Sequence, residues 1–226
     1  MHYPNIQQAV FLSRPNRFIA HIEVDGREEI CHVKNTGRCR ELLTDRAAIY
    51  VQHHEDPKRK TEYSLIAVEK GSMLINMDSQ APNKVVEEWL HSEEPFGKTV
   101  LLKPECKHGD SRFDFYLETT QDKMFIEVKG VTLEDNGVAR FPDAPTERGV
   151  KHLHELADCV KQGYKAAVIF VVQMTGIKYF ETNRKTHPEF AVALKEAAEA
   201  GVLVLAYECA VQPDELVLTA PIPVQL

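Results

Sequence analysis

Apolar and polar residues alternate along most of the first 80 residues, as they do in β-strands that bury one face. The clearest case is the pair 18–24 and 29–33, which flanks the turn residues Asp25 and Gly26 and predicts a β-hairpin. One short helical segment is predicted at 39–43, and further strands are predicted at 48–52, 63–69 and 73–76. The pattern indicates a small OB-like β-barrel, which would serve either to bind nucleic-acid strands or simply as a packing module.

After residue 80 the pattern changes to mixed helices and strands. Pro82 opens the first helix, and Asn83 is its expected N-cap. The continuous apolar run 166–172 is typical of a strand covered on both faces. We therefore expect an α/β (α+β) chain in which residues 1–80 form the barrel and residues 81–226 form a mixed sheet flanked by helices. Helices are predicted at 85–90, 146–160 and 188–200, and strands at 99–103, 112–118, 124–129, 131–133, 138–141, 166–172 and 202–207.

Two neighbouring strands of the second part carry charged residues among apolar ones. Asp114 lies between two phenylalanines, and Glu127 and Lys129 follow in the next strand. Because a short polar turn joins the strands, Asp114 is expected beside Glu127 and Lys129, whose side chains share a face. Two adjacent carboxylates resist joint ionisation unless a cation joins them. Mg²⁺ or Mn²⁺ held by both acids would do so, and Lys129 would orient or help deprotonate an attacking water.

A second interpretation of these charges stays open at this point. Asp114 and Glu127 could be solvated strand residues, with Lys129 as their partner at the surface. Their apolar neighbours favour the metal site, because acids embedded in apolar strands usually need a partner, and a metal ion supplies one.

Length and composition limit the class of protein. The chain has 226 residues, 43% of them hydrophobic, which suffices for a sizeable core. Since it shows neither a transmembrane stretch nor a signal-peptide layout, we expect a cytoplasmic protein with no membrane partner. The cysteines are odd in number and widely spaced, without a C-x-x-C pair, which predicts reduced thiols. The sequence leaves homo-oligomerisation open.

The net charge of −7 gives no overall electrostatic footprint for DNA. The charge is uneven, however. Residues 1–80 carry 11 Lys and Arg and 11 Asp and Glu. Residues 81–226 carry the remaining 16 of the chain's 27 Lys and Arg and the remaining 23 of its 34 Asp and Glu. The first part therefore contains local basic clusters, which form either a basic face or solvated loops. These clusters comprise Arg14, Arg17, Arg38, Arg40, Arg46 and residues 58–60.

The spacing of Asp114, Glu127 and Lys129 resembles that of the PD-(D/E)XK nuclease superfamily, whose core order α-β-β-β-α-β-α-β also matches the predicted elements. A second resemblance is carried by five longer segments, 32–43, 111–115, 126–133, 141–149 and 151–156. These segments resemble the sugar fermentation stimulation protein A family. The resemblance implies an OB-like N-terminal domain, a PD-(D/E)XK-like C-terminal domain, DNA binding, and a role in regulating sugar metabolism.

Carried over by position, the resemblance implies that Asp114 and Glu127 are metal-binding acids and that Lys129 is the catalytic lysine. Glu87, or alternatively Glu88, would add an acid to the metal site from the preceding helix, although a solvated helix face also accounts for both. The residues expected to contact DNA are Arg14, Arg17, Arg38, Arg40, Arg112, Arg148 and Lys151.

Two local segments have two interpretations each. Arg148, Lys151 and His152 begin a helix whose N-terminus suits a phosphate, whereas Thr146 could simply cap that helix. The loop 35–38 is either a tight turn or a phosphate-holding loop that faces the site, and the resemblance favours the second. His152 and His154 fall on different helix faces, so no zinc site is expected from them.

Three functions are compatible with the sequence. The leading hypothesis is a Mg²⁺- or Mn²⁺-dependent phosphodiesterase that acts on DNA. The second is a non-catalytic DNA-binding regulator of sugar metabolism that keeps the nuclease fold. The intact acid, acid and lysine set argues against it, but a structural metal would need the same acids. The third, a sugar- or nucleotide-binding protein, is disfavoured because the chain has no Gly-rich phosphate loop.

Overall fold

The computed structural model describes residues 1–35, 37 and 39–226. The N-terminal strands are β1 (Ile6–Asn16), β2 (Ile19–Val24), β3 (Arg27–His32), β4 (Ala48–His53), β5 (Tyr63–Lys70) and β6 (Met73–Asn76). They form one sheet in the order β3-β2-β1-β4-β5-β6, and β3 also pairs with β5. Fully buried side chains from several strands, among them Ile22, Ile49 and Leu65, share one apolar core.

The N-terminal sheet differs from the sequence prediction in two places. The hairpin of β2 and β3 is confirmed, but β1 was not predicted, because its apolar residues alternate irregularly and its pairing with β2 shifts register after Phe11. The predicted helix at 39–43 is wrong. The N–H groups of Leu42 and Leu43 both donate to the carbonyl of Cys39, at 3.2 and 2.9 Å, and these residues form a turn.

The C-terminal part contains three helices among the described residues, α1 (Ala81–Ser92), α2 (Glu147–Lys161) and α3 (Pro188–Glu199). Its main sheet has the order β15-β14-β12-β9-β8-β7, and β10, β11, β13 and β16 form a smaller sheet. The strands are β7 (Thr99–His108), β8 (Ser111–Thr119), β9 (Lys123–Val131), β10 (Leu133–Asp135), β11 (Val138–Phe141), β12 (Lys165–Val172), β13 (Tyr179–Thr182), β14 (Leu203–Gln212), β15 (Glu215–Pro221) and β16 (Val224–Gln225).

Helices cover both faces of the main sheet, as the sequence predicted. Successive residues of β12 alternate between two apolar clusters, so Ile169 packs with α1 on one face and Phe170 packs with α2 and α3 on the other. The apolar run 166–172 is buried throughout, which confirms its assignment as a doubly covered strand. The strands β13, β15 and β16 were not predicted.

The predicted N-cap of α1 is also wrong. The helix begins at Ala81 after Gln80, and proline occupies its first turn, where a missing N–H costs nothing. Asn83 therefore lies inside the helix, and its side chain is available for another contact.

A buried polar network joins the two parts of the chain. The side-chain amide of Gln173, which follows β12, donates to the carbonyls of Asn76 and Asp78, both at 3.1 Å, and to the side-chain oxygen of Asn76 at 2.9 Å. Asp78 is 1% exposed and forms an ion pair with Lys34 at 2.7 Å. These contacts fix how the N-terminal sheet sits against the carboxyl end of β12. None of the described helices is long and apolar enough to cross a membrane.

Candidate active site

The strands β8 and β9 separate where Asp114 lies. The last paired residues of the two strands are Phe115 and Ile126. Beyond that pair, the side-chain carboxylate of Asp114 in β8 accepts the hydrogen bond from the backbone of β9. One of its oxygens accepts the backbone N–H of Val128 at 2.7 Å, and the other accepts the side-chain amide of Asn83 at 2.8 Å. The gap between the two antiparallel strands thus holds a carboxylate that is fixed by two hydrogen bonds.

Glu127 lies on β9 in the same gap and is 3% exposed. Its Oε1 accepts the Lys129 ammonium at 2.6 Å and also the Nδ1 of His152 on α2. Its Oε2 is buried and has no hydrogen-bond partner among the described residues. Glu127 and Lys129 are therefore together on one side of β9, as the strand alternation predicted. The Oε2 of Glu127 remains free to accept a hydrogen bond or to bind a cation.

The two carboxylates have different pKa shifts. Burial raises the pKa of Asp114, and the nearby charge of Glu127 raises it further. Burial also opposes ionisation of Glu127, but the hydrogen bond from His152 and the charge of Lys129 outweigh it and lower the pKa of Glu127. A second negative charge is thus costly at Asp114, and a divalent cation beside both acids would remove that cost.

His152 connects Glu127 to a surface arginine. It is 4% exposed, and its Nε2 lies 3.3 Å from the Nε of Arg148, one helical turn earlier on α2. An arginine N–H can only donate, so Nε2 of His152 is the acceptor in this contact. The proton of a neutral imidazole is then on Nδ1, which donates to Glu127. This buried position rules out the direct phosphate contact considered for His152 from the sequence.

The donor set fits a hard divalent cation. Such ions take carboxylate oxygens and keep several waters, and the site offers the orphaned Oε2 of Glu127 beside the Asp114 carboxylate. Within the described residues, no three His, Cys, Asp or Glu side chains are grouped closely enough to hold an ion by themselves. Waters or substrate oxygens would therefore complete the coordination.

The third predicted metal ligand, Glu87, lies on α1, the helix that also contacts Asp114. Asn83 is the α1 residue that contacts Asp114, and Glu87 lies one helical turn further along. Glu88, the alternative, is exposed and forms an ion pair with the N-terminal ammonium at 2.7 Å. A metal contact by Glu87 stays a prediction.

Three of the arginines predicted to bind DNA are gathered on the N-terminal part. Arg14, Arg17 and Arg40 line a cavity of about 430 Å³, together with Ala144 from the C-terminal part. Arg14 donates to the carbonyls of Arg17 at 2.8 Å and Asn35 at 2.7 Å, which fixes its guanidinium at the cavity wall. The cavity therefore presents positive charge at the boundary between the two parts.

The other predicted DNA contacts are more scattered. Arg112 is exposed near Glu105, at 3.7 Å, and Lys151 is exposed near Glu155, also at 3.7 Å. Arg148 is exposed and bound to His152. Arg38 lies outside the described residues. DNA contact by all of these residues stays a prediction.

Sequence reasoning missed two residues of the site. Asn83 was assigned to helix capping, and no sequence signal linked it to Asp114. His152 does carry a signal, because it lies three residues after Gly149 and four before Leu156 on the buried stripe of α2. A histidine on such a stripe needs a buried partner.

Comparisons with known proteins agree with this architecture. The family model described as "SfsA N-terminal OB domain" matches residues 12–77, and the model described as "Sugar fermentation stimulation protein RE domain" matches residues 80–215. The N-terminal sheet is thus an OB domain, as predicted.

Relatives with the same description span the whole chain. The sugar fermentation stimulation protein homologue of Clostridium beijerinckii is 57% identical over 216 residues, which cover 96% of each chain. That of Ruminiclostridium cellulolyticum is 54% identical over 226 residues and all of both chains. The solved structure of Pyrococcus furiosus SfsA in complex with Ca²⁺ is 26% identical, with a TM-score of 0.90 over 100% of this chain and 98% of that one. The chain therefore belongs to the sugar fermentation stimulation protein family.

Proposed function

We propose that the protein is a DNA-binding phosphodiesterase that depends on Mg²⁺ or Mn²⁺. The observation that carries the proposal is the cluster of Asp114, Glu127 and Lys129, in which one oxygen of the buried Glu127 has no partner among the described residues. A structural role would be served more cheaply by apolar residues, because a buried carboxylate with an unsatisfied oxygen is destabilising.

Asp114 and Glu127 would hold the divalent cation. The SfsA of Pyrococcus furiosus, similar over its whole length, was solved in complex with Ca²⁺, which supports a divalent cation for this chain as well. When bound, the cation would stabilise negative charge on the phosphate oxygens and acidify a bound water. Ca²⁺ prefers the same oxygen ligands as Mg²⁺ but tolerates looser geometry.

The chain's own residues would then prepare the attack. The Lys129 ammonium lies 2.6 Å from Glu127 and is 16% exposed, so it can reach a water molecule in the open part of the gap and orient it for in-line attack. Asn83 and the Val128 N–H hold Asp114 in place. His152 holds Glu127 from the other side. Because these contacts hold the side chains in place beforehand, the side chains need not rearrange during the chemical step.

DNA would approach along the boundary between the two parts. The arginine-lined cavity lies on the N-terminal side of that boundary, and phosphate contacts by Arg14, Arg17 and Arg40 would offset the acidic charge of residues 81–226. Each phosphate contact contributes roughly 0.7 to 0.9 to the slope of log affinity against log salt. The triple variant Arg14→Ala, Arg17→Ala, Arg40→Ala should therefore lower both DNA affinity and that slope.

The test is incubation of the purified protein with single-stranded, duplex and branched DNA, with Mg²⁺ or Mn²⁺, beside Asp114→Ala and Glu127→Ala. We expect cleavage by the wild type only. Calorimetry with Mn²⁺ should show that each variant loses metal affinity. Metal affinity unchanged in Glu127→Ala would remove the site. DNA binding without cleavage under any condition would favour the non-catalytic regulator.

A further inference from the structure

The basic segment 58–60 has no part in the proposed function and belongs to a closed loop of the OB domain. The backbone N–H of His54 donates to the carbonyl of Glu62 at 2.7 Å, which closes the loop just before β5. Inside the loop, the backbone N–H of Arg59 donates to the carbonyl of Asp56 at 3.1 Å and forms a tight turn. The backbone of Arg59 is therefore held by the loop's own hydrogen bonds.

Ser64 on β5 shows where this loop packs. Its neighbours Tyr63 and Leu65 both pack into the apolar core, so by strand alternation the Ser64 side chain points to the outer face of the sheet. Ser64 is nevertheless fully buried. Its hydroxyl oxygen lies 2.9 Å from Nη2 of Arg59 and 3.0 Å from Nε2 of His54, so these two side chains cover it.

The Ser64 hydroxyl holds both covering groups in a fixed orientation. An arginine N–H can only donate, so the hydroxyl oxygen accepts from Arg59. The hydroxyl proton then has Nε2 of His54 as its acceptor among the described residues, which leaves the proton of a neutral His54 on Nδ1, on the other side of the ring. Arg59 also donates from Nε to the carbonyl of Thr61 at 3.3 Å, and its other three N–H groups donate to no described residue. Both side chains therefore keep donors for a further group.

His32 brings a second imidazole to the same place. Cys31 and Val33 on either side of it are fully buried in the core, so the ring of His32 points to the outer face of the sheet. β3 and β5 pair in parallel with His32 opposite Ser64, and paired residues of neighbouring strands share a face. The half-buried ring therefore lies beside the Ser64 hydroxyl and the two groups that cover it.

Positive charge prevails around the two imidazoles. Burial lowers the pKa of His32 and the pKa of His54, and the charges of Arg59 and Lys34 lower both further. The carboxylate of Asp78 raises the pKa of His32, but by less than either cation lowers it. At neutral pH both rings are thus uncharged donors. Since Asp78 neutralises Lys34 at 2.7 Å, the charge left in excess is that of Arg59.

We propose that His32, His54 and Arg59 bind one singly charged phosphate group on the outer face of the OB domain. A phosphate offers several oxygens to donors that come from different side chains, and a guanidinium is well suited to it. One negative charge, as in a phosphodiester or dihydrogen phosphate, matches the one positive charge in excess. The acidic residues of the loop, Asp56 and Glu62, are exposed, so water and salt screen their charges. The site shares no residue with the arginine-lined cavity and does not depend on the proposed phosphodiesterase.

The experiment follows the histidine ring signals by NMR at neutral pH, without divalent metal so that no strand is cut. Inorganic phosphate and (dT)12 without a terminal phosphate are titrated separately at constant ionic strength. We expect the signals of His32 and His54 to shift and saturate, while that of His91, exposed on α1, stays in place. Arg59→Gln should weaken the affinity at least about ten-fold, the lower end for a hydrogen bond to a charged group. Lys60→Gln, the same loss of charge in the same loop, is the matched control and should keep the wild-type affinity.

The two titrations distinguish the sources of the phosphate. A shift with both ligands supports the site, a shift with (dT)12 alone assigns it to the DNA backbone, and a shift with inorganic phosphate alone assigns it to a small phosphorylated molecule. Absence of a shift at both rings with either ligand would overturn the site, and so would a shift that Arg59→Gln leaves unchanged. Because no cleavage is measured, loss of this site leaves the proposed phosphodiesterase standing, and a protein that cuts no DNA leaves this site standing.

Discussion

At the residue scale, Lys129 and His152 hold the same carboxylate oxygen in different ways. Both contact Oε1 of Glu127, but Lys129 reaches it from the open side of the gap, with 16% of its side chain exposed, whereas His152 is buried with 5% exposed. The lysine can therefore take part in the reaction, whereas the histidine can only hold Glu127 in position. Separate substitutions distinguish these two roles.

Replacing Lys129 by alanine should cut turnover and spare binding. Because the role proposed for the lysine is to orient the attacking water, we expect a loss of about 10² to 10⁴ in turnover, the range for a positioned acid-base group. Mn²⁺ and DNA affinity should stay within a few-fold, because His152 still holds Glu127. Single-turnover cleavage and calorimetry measure the two effects. Lys123→Ala, at the exposed start of β9, is the control. Full cleavage by Lys129→Ala would mean that the activity has another source.

Replacing His152 should weaken metal binding through Glu127. Hydrogen-bond partners of metal ligands typically contribute 10- to 100-fold to metal affinity, so we expect a loss in that range for His152→Leu, measured by Mn²⁺ calorimetry. His152→Asn keeps an N–H donor near the position of Nδ1 and should recover most of the affinity. If both variants bind Mn²⁺ like the wild type, His152 is only a packing residue. His154→Leu, exposed on α2, is the control.

At the element scale, local patterns predicted most strands and helices, but not how they are combined. The hairpin of β2 and β3, the strands β8, β9 and β12, and the helices α2 and α3 follow from periodicity and turn residues. The alternation of β9 also placed Glu127 and Lys129 on one side. Asp114 was expected to face them, but the sequence could not show that β8 and β9 separate there, since that depends on Val128 donating to a side chain.

The contacts missed from the sequence all join residues far apart in the chain. Asn83 meets Asp114 across 31 positions, and His152 meets Glu127 across 25. Neither pair leaves a periodic signal. Gln173 meets Asn76 across 97 positions, so its role at the boundary depends entirely on the tertiary fold. Short strands such as β16 are held by their neighbours in the sheet, which local propensity does not reveal.

An ion pair between elements makes stability sensitive to acid. Lys70 at the end of β5 donates to both the carbonyl and the carboxylate of Glu134 in β10. Burial opposes ionisation of Glu134, but the hydrogen bonds from Lys70 and the Gly137 N–H outweigh it and lower its pKa below the ordinary value of 4.5. A carboxyl whose pKa is lower in the folded state stabilises it fully above the unfolded pKa. That stabilisation is lost as the pH falls through the folded pKa.

Lys70→Met should therefore reduce the loss of stability on acidification. We expect the wild type to lose free energy of unfolding below about pH 4.5 more steeply than Lys70→Met does, because Glu134 in the variant loses its main partner. Urea unfolding at a series of pH values between about 6 and 3 measures this difference. Lys123→Met, whose exposed lysine lies 3.9 Å from Glu118, is the control. Parallel pH curves for Lys70→Met and the wild type would contradict the assignment.

At the scale of the whole molecule, the two parts of the chain depend on one buried junction. Gln173 satisfies the carbonyls of Asn76 and Asp78, and the Asn76 N–H donates in turn to the Gln173 carbonyl at 3.0 Å. Asp78 adds its ion pair with Lys34. The proposed substrate path runs along the same junction, so its rigidity would fix the distance between the arginine-lined cavity and the active site.

Gln173→Glu should uncouple the two parts. The change is nearly isosteric, but it sets carboxylate oxygens against three acceptors, and each group left unsatisfied costs about 1 to 3 kcal/mol.

Trp89, the single tryptophan, lies in α1 and reports on the C-terminal part by fluorescence, while circular dichroism reports on the whole chain. In the wild type we expect the two thermal transitions to coincide. In Gln173→Glu the circular dichroism transition should begin at lower temperature than the Trp89 transition, as the OB domain unfolds first. Gln121→Glu, in the exposed turn between β8 and β9, should behave as the wild type. Transitions that already differ in the wild type would show that this junction does not couple the two parts.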